Sequence, residues 1–218
     1  MSASRKLAYI AGFIGAGILT IGLLITAIAY TGVEGENYSL GNHLISELGV
    51  TTVSELSGLF SVTLIVGGLC FGAHMVGVGL QFDDWFRWFT IIGGVLVGIF
   101  GLLVGFFPLD VNPVVHSTVA TIFFFSGMVV VTFFTVYVAA SDQTVFPKWM
   151  AVAGVPMVIS AAVFLLASLV TVANGGNAIN PPMSTRSPVE PIMVAEWCVL
   201  IFLLVWGVIV SVRLALKD

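Results

Sequence analysis

The sequence predicts an all-α integral membrane protein built as a bundle of six transmembrane helices. Three observations lead there. Of 218 residues, 59% are hydrophobic and only 8% charged, with a mean hydropathy of +1.13. A soluble domain is roughly 45–50% apolar and about 25% charged. A core of this size cannot hide so much apolar surface, so the surrounding solvent is lipid. The apolar residues also fall into six stretches, each long enough for the about 20 residues that span a hydrocarbon core. Finally, the stretches are continuously apolar, whereas the strands of a membrane barrel alternate.

The spans are expected near residues 7–31, 54–80, 86–107, 113–140, 147–173 and 189–213, in one domain covering 1–218. Ala27-Ile28-Ala29 imitates a signal-cleavage site. The uncharged run from Leu7 to Val33 is much longer than the about 7–15 residues of a signal core, so it reads as a retained first span. Six of the seven basic residues (Arg5, Lys6, Arg87, Lys148, Arg213 and Lys217) fall on one side of this arrangement, and Arg186 alone on the other. The positive-inside rule then places both termini in the cytoplasm of a cell-membrane protein. Trp85, Trp88 and Trp149 sit at the cytoplasmic ends, where amphipathic rings favour the interface.

Gly94, Gly98, Gly101 and Gly105 recur at helical spacing on span 3, as do Gly68 and Gly72 on span 2. Such faces let helix backbones approach closely in lipid and offer a surface for self-association. Cys70 and Cys198 lie inside apolar runs and read as packed thiols. No internal repeat supports an inverted-repeat transporter. The net charge of −4 and the lack of a basic patch argue against nucleic acid, and seven basic residues are too few for polybasic headgroup binding.

The polar residues concentrate in three connections on the outer side: 32–53, 108–112 and 174–188. The first contains Asn42-His43-Leu44-Ile45-Ser46-Glu47-Leu48-Gly49. With Asn42 as N-cap and Gly49 just past the end, His43–Leu48 is expected as a short interfacial helix, its Leu44, Ile45 and Leu48 dipping towards lipid. His43 and Glu47 would share one face, with Asn42 and Ser46 on the next. Thr52 and Glu55 form a T-x-x-E pattern expected to start span 2. Asn112-Pro113 reads as N-cap and first residue of span 4, with His116 one turn further in and Asp110 at the mouth. Ser187-Pro188-Val189-Glu190 reads as a capping box opening span 6.

Glu196 stands among Ile192, Met193, Val194, Ala195 and Trp197, inside a span. An ionisable group there costs at least about 2.5 kcal/mol if left bare, so it must face protein, find a partner or hold a proton. His116, Arg186 and the Asn42/His43/Ser46 group are the candidate partners. His74 lies some 20 residues into span 2, roughly 30 Å from the outer side, and reads as a helix-packing group.

These placements give an outer pocket with His116, Glu196, Asp110, His43, Glu47 and Ser46 as candidate catalytic groups and Asn42 and Arg186 as candidate ligand contacts. No cofactor is expected. A zinc ion on His43, His116 and Asp110 is allowed by residue type but lacks a ligand-bearing motif, and Ser46 lacks a nucleophile elbow.

Three pieces together, the Asn42–Gly49 stretch, Phe107-Pro108-Leu109-Asp110 with His116 following, and Glu196-Trp197, resemble the Frag1/DRAM/Sfk1 group of six-span membrane proteins. The likeness is greatest to the prokaryotic domain-of-unknown-function 998 family. Its shared positions would correspond here to Ser46, Gly49, Asp110, His116 and Glu196. The eukaryotic relatives' association with lipid-anchor remodelling, membrane lipids and autophagy implies lipid handling, with membrane lipids as partners. Three functions stay open. The first is a lipid-modifying hydrolase or acyltransferase at the outer leaflet, with His116 or His43 as base, Asp110 or Glu47 orienting it, and Glu196 as general acid. The others are a non-catalytic lipid-binding or scaffold protein and a proton-coupled transporter.

Overall fold

The structure is a computed structural model that describes residues 2–142, 144–173 and 185–217. Among these residues are six long apolar helices: α1 (Ala3–Ile28), α2 (Ser57–Gly79), α3 (Phe86–Phe106), α4 (Pro113–Ala140), α5 (Met150–Ala173) and α6 (Pro191–Leu216). All six are long and apolar enough to cross a membrane, and the protein is a multi-pass membrane protein.

Most helix boundaries fall within three residues of the expected ones, and the local chemistry explains them. The Ser2 hydroxyl caps α1 by accepting from the Arg5 amide at 3.3 Å, starting that helix earlier than its apolar run. Asn112 Oδ1 accepts from the Val115 amide at 3.2 Å and Pro113 follows as the first helical residue, as the dipeptide predicts. Two other starts differ. Thr52 and Glu55 do not cap α2, which begins at Ser57 behind a series of backbone turns over 50–57. α6 begins at Pro191, with Glu190 at its N-cap. The Glu190 carboxylate still reaches back to the Ser187 amide at 2.7 Å, which is the reciprocal half of the expected box.

The helices form a ring in chain order, each packed on its sequence neighbours and α6 closing on α1. The tightest seam is α2 on α3. A Cβ added at Gly98 would stand 2.6 Å from the Gly68 carbonyl oxygen and 2.9 Å from the Gly72 nitrogen, so only glycine permits this approach. At the end that carries the chain termini, the middle of the ring is filled by aromatic side chains. Phe82, Phe86, Phe134, Phe146 and Trp206 pack edge to face, with Phe134 and Trp206 centroids 5.2 Å apart. Trp85, Trp88 and Trp149 project outward at this same end, each at least 60% exposed. The opposite end is filled instead by the inward-folded connection between α1 and α2, and there the site lies.

Between α1 and α2 the chain makes a small turn closed by a Thr31–Asn37 bridge, with Gly35 at φ 78°. It then folds inward over the ring. Cys70 and Cys198 are free thiols.

Candidate functional site

The Asn42–Gly49 stretch is not the interfacial helix the pattern predicts. Only Ile45–Gly49 is helical, as a 3₁₀ turn, and all five residues are buried. Leu44, Ile45 and Leu48 face protein instead of lipid; Ile45 and Leu48 pack with Leu23, Tyr30, Phe60 and Leu200. The turn is thus a plug set into the end of the ring. Its register follows from Glu47, whose Oε1 accepts from the Leu44 amide at 2.8 Å and so starts the helix at Ile45. Asn42 and His43 stay outside it.

Two ties hold the plug from α6 and its approach. Arg186 donates to the Asn42 carbonyl at 2.8 Å and to both Glu47 oxygens at 3.1 and 3.0 Å. The two side chains are only 4% and 3% exposed, so this is a buried ion pair. Glu196 Oε2 accepts from the Ile45 amide at 2.8 Å. That bond across 151 residues is why a carboxyl is tolerated inside α6. Tyr38 adds a third tie, donating to the Leu44 carbonyl at 2.9 Å and accepting from Trp197 Nε1 at 3.0 Å.

His43 is wholly buried between the Tyr30 and Tyr38 rings, with Nδ1 2.8 Å from Asn42 Oδ1 and 3.2 Å from the Ser39 amide. Burial pushes its imidazole below the usual value, against the pull of Glu47. Burial also drives the Tyr38 phenol far above its usual range, helped by the Glu196 charge, and pushes Tyr30 up to about 12. Asp110 sits elsewhere. Its Oδ2 accepts from the Thr51 amide and hydroxyl at 2.9 and 2.7 Å. Burial works against the ionised form, but those bonds outweigh it and hold the carboxyl below the usual value.

The sequence-predicted residues therefore divide into three groups. Asn42, His43, Glu47 and Arg186 form a dry tie that positions the plug. Asp110 fastens the 50–53 turn. Ser46, His116 and Glu196 line open space. His116 Nδ1 donates to the Phe107 carbonyl at 2.7 Å, so a backbone carbonyl orients the ring and neither Asp110 nor Glu47 does. Among the described residues, His116 Nε2, Ser46 Oγ and Glu196 Oε1 have no hydrogen-bond partner. No group of three His, Cys, Asp or Glu side chains suited to a metal ion occurs among those residues either, and His43, His116 and Asp110 each have separate partners.

Ser46, His116 and Glu196 mark a junction between two cavities. One, of about 410 Å³, is a lateral cleft among α4, α5 and the start of α6, with Phe125, Leu169 and Val172 at its lipid-exposed rim. The other, of about 100 Å³, is a tunnel running down the ring past Phe60, Gly67 and Gly207 to His74. Phe60 and His74 are 14 residues apart on α2, so the tunnel is about 20 Å deep at about 1.5 Å per residue. His74, expected as a remote packing residue, lines the same cavity as Glu196. It also ties α2 to α1, with Nδ1 2.7 Å from the Ala8 carbonyl.

Sequence reasoning missed Tyr38, Trp197 and Thr51 as site-building residues. Only the Glu196-Trp197 pairing offered a local hint. The 174–188 connection lies mostly outside the described residues, which resume at 185. A family model described as a protein of unknown function (DUF998) matches residues 8–213. No curated protein and no solved structure matches the chain.

Proposed function

The chain belongs to the DUF998 family, and on that premise we propose that it is a lipid-handling protein of the cell membrane that grips the polar head of an outer-leaflet amphiphile. The supporting observation is the junction itself. Three hydrophilic side chains from three separate elements, Ser46, His116 and Glu196, line both the lateral cleft and the tunnel. Hydroxyl, imidazole and carboxyl groups with unused hydrogen-bonding capacity at the wall of an apolar cavity call for a polar partner, a ligand head or water. The cleft lies between helices whose outer faces meet acyl chains, so a lipid reaches the junction sideways, without leaving the membrane.

Binding is favoured over catalysis by the hydrogen bonds. Ser46 Oγ is not bonded to His116, and His116 is oriented by a backbone carbonyl. Glu196 is committed through one oxygen to the plug. A preformed nucleophile–base–acid relay would have those groups bonded to one another, and among the described residues they are not.

The test compares the wild-type protein with Ser46→Ala, His116→Ala and Glu196→Gln, each purified in the same detergent and checked for folding by melting. Glutamine keeps an acceptor for the Ile45 amide. Mass spectrometry of extracted lipid should find a species retained at least about tenfold more by the wild type, a difference of about 1.4 kcal/mol. Equal retention in all four proteins refutes the reading. A new lipid product formed by the wild type alone favours the hydrolase or acyltransferase reading, and pH-driven uptake into liposomes favours the transporter.

A further inference from the structure

The tunnel and the cleft differ in ways that bear on what the ligand is. The tunnel holds about a quarter of the cleft's volume (about 100 against about 410 Å³), drawn out over about 20 Å. A small volume spread over that length suits one hydrocarbon chain better than two. The tunnel's depth is somewhat more than half of the about 30 Å hydrocarbon core, the reach of an acyl tail in one leaflet. Its walls are apolar side chains and glycine backbone. At most of these glycines the missing Cβ makes way for a neighbouring helix: at Gly15 for Cys70, at Gly67 for Leu19, at Gly98 for Gly68. Gly207 is different. Nothing lies within 4 Å of a Cβ placed there, and the residue lines the lower tunnel.

The two ends of the tunnel are polar. At the top, Glu196 Oε1, Ser46 Oγ and His116 Nε2 have no partner among the described residues, and the three side chains are 6%, 8% and 4% exposed. Nε2 of a neutral imidazole whose Nδ1 carries the proton accepts, the Ser46 hydroxyl both donates and accepts, and none of the three junction side chains is a fixed cation. The junction therefore matches an uncharged head that both donates and accepts hydrogen bonds, and a phosphate or carboxylate head would be buried there with no counter-ion among these three groups. At the floor, His74 Nε2 is buried and has no donor.

We infer that the tunnel seats the hydrocarbon tail of a single-chain amphiphile with an uncharged hydroxyl head, such as a glycerol monoester, and that Gly207 and His74 set the length of tail accepted. The head stays at the Ser46–His116–Glu196 junction, and the cleft is the route of entry. The inference rests on the lipid-binding reading above and narrows it to one chain and one head chemistry.

The experiment uses the full chain in phosphatidylcholine nanodiscs loaded with an equimolar series of monoacylglycerols of increasing length, with bound species read by native mass spectrometry. Gly207→Leu extends a side chain into the lower tunnel. Gly17→Leu, at another glycine with no neighbour within 4 Å but outside the tunnel, is the control. The wild type and the control should show the same upper limit of chain length. Gly207→Leu should bind the longest accepted species at least about tenfold less while keeping the shorter ones. Diacylglycerol and lysophosphatidate of matched length should bind at least about tenfold more weakly than the monoester. If monoesters bind but Gly207→Leu leaves the length profile unchanged, the tail lies in the cleft, and the inference fails while lipid binding stands. A preference for two chains or for the phosphate head also overturns it. If the wild type retains no amphiphile, both readings fall.

Discussion

Arg186 and Glu47 meet where water is nearly excluded, so their pairing offsets much of the cost of burying both charges. Arg186→Met should lower the free energy of unfolding by about 3–5 kcal/mol, because it leaves a buried carboxylate without its counter-ion. A melting series in detergent would measure this. Asp110→Asn, at an exposed turn, should cost about 1 kcal/mol or less by the same assay. His43 makes a pH-dependent contribution with a definite sign. Its folded pKa lies below the ordinary 6.5. Above that value the ring is neutral folded or unfolded. As pH falls below 6.5 the unfolded chain takes up a proton that the fold resists, and stability declines until the folded pKa is passed. Melting temperature should therefore drop across that window in the wild type and drop less in His43→Phe. At this scale the sequence was partly legible. An ionisable residue inside an apolar span marks Glu196 as special, but its partner is a backbone amide 151 residues away, and no residue pattern encodes that. Arg186 stands out as the lone basic residue of its side. That it pairs with Glu47 depends on the chain folding back over the ring.

Among the elements, α2 and α3 depend on glycine more than on side-chain fit. Gly98→Val should be destabilising by about 1–3 kcal/mol or more, since its side chain would press on backbone atoms of Gly68 and Gly72, which cannot move aside. Gly17→Ala should be neutral or slightly stabilising, because it faces open space and alanine favours helix. The melting assay separates the two. Apolar length and glycine spacing predict these helices well, because lipid demands a continuous apolar surface and a satisfied backbone wherever the chain crosses. The Asn112-Pro113 start was equally legible, as its cap is local. The 45–49 turn was not. Its start is fixed by the Glu47 carboxylate and its burial by a socket made from α1, α2 and α6. The T-x-x-E pattern at 52–55 failed for a related reason, since the neighbouring Thr51 holds Asp110 and the chain turns again before α2.

For the whole molecule, a ring of six helices packed with aromatic side chains at one end and plugged by the 45–49 turn at the other explains how so hydrophobic a chain builds a polar site. Orientation in the bilayer can be checked directly. With Cys70 and Cys198 replaced by alanine, a cysteine at Glu34 should react with an impermeant maleimide on intact cells, while one at Asp83 should react only after permeabilisation, as the charge bias predicts. The reverse pattern would place the junction on the cytoplasmic side. The ring order was not legible in the sequence, because consecutive spans of similar composition carry little information about which neighbours close the circle. The indole girdle adds a mechanical consequence. Exposed indole rings such as Trp85, Trp88 and Trp149 partition to the headgroup layer, which gives this end of the protein a preferred depth in a bilayer. Any thinning or thickening of the bilayer is then taken up at the unmoored rim. That rim carries the mouth of the cleft, so membrane thickness sets how much of the entrance is bathed in acyl chains and how much in water.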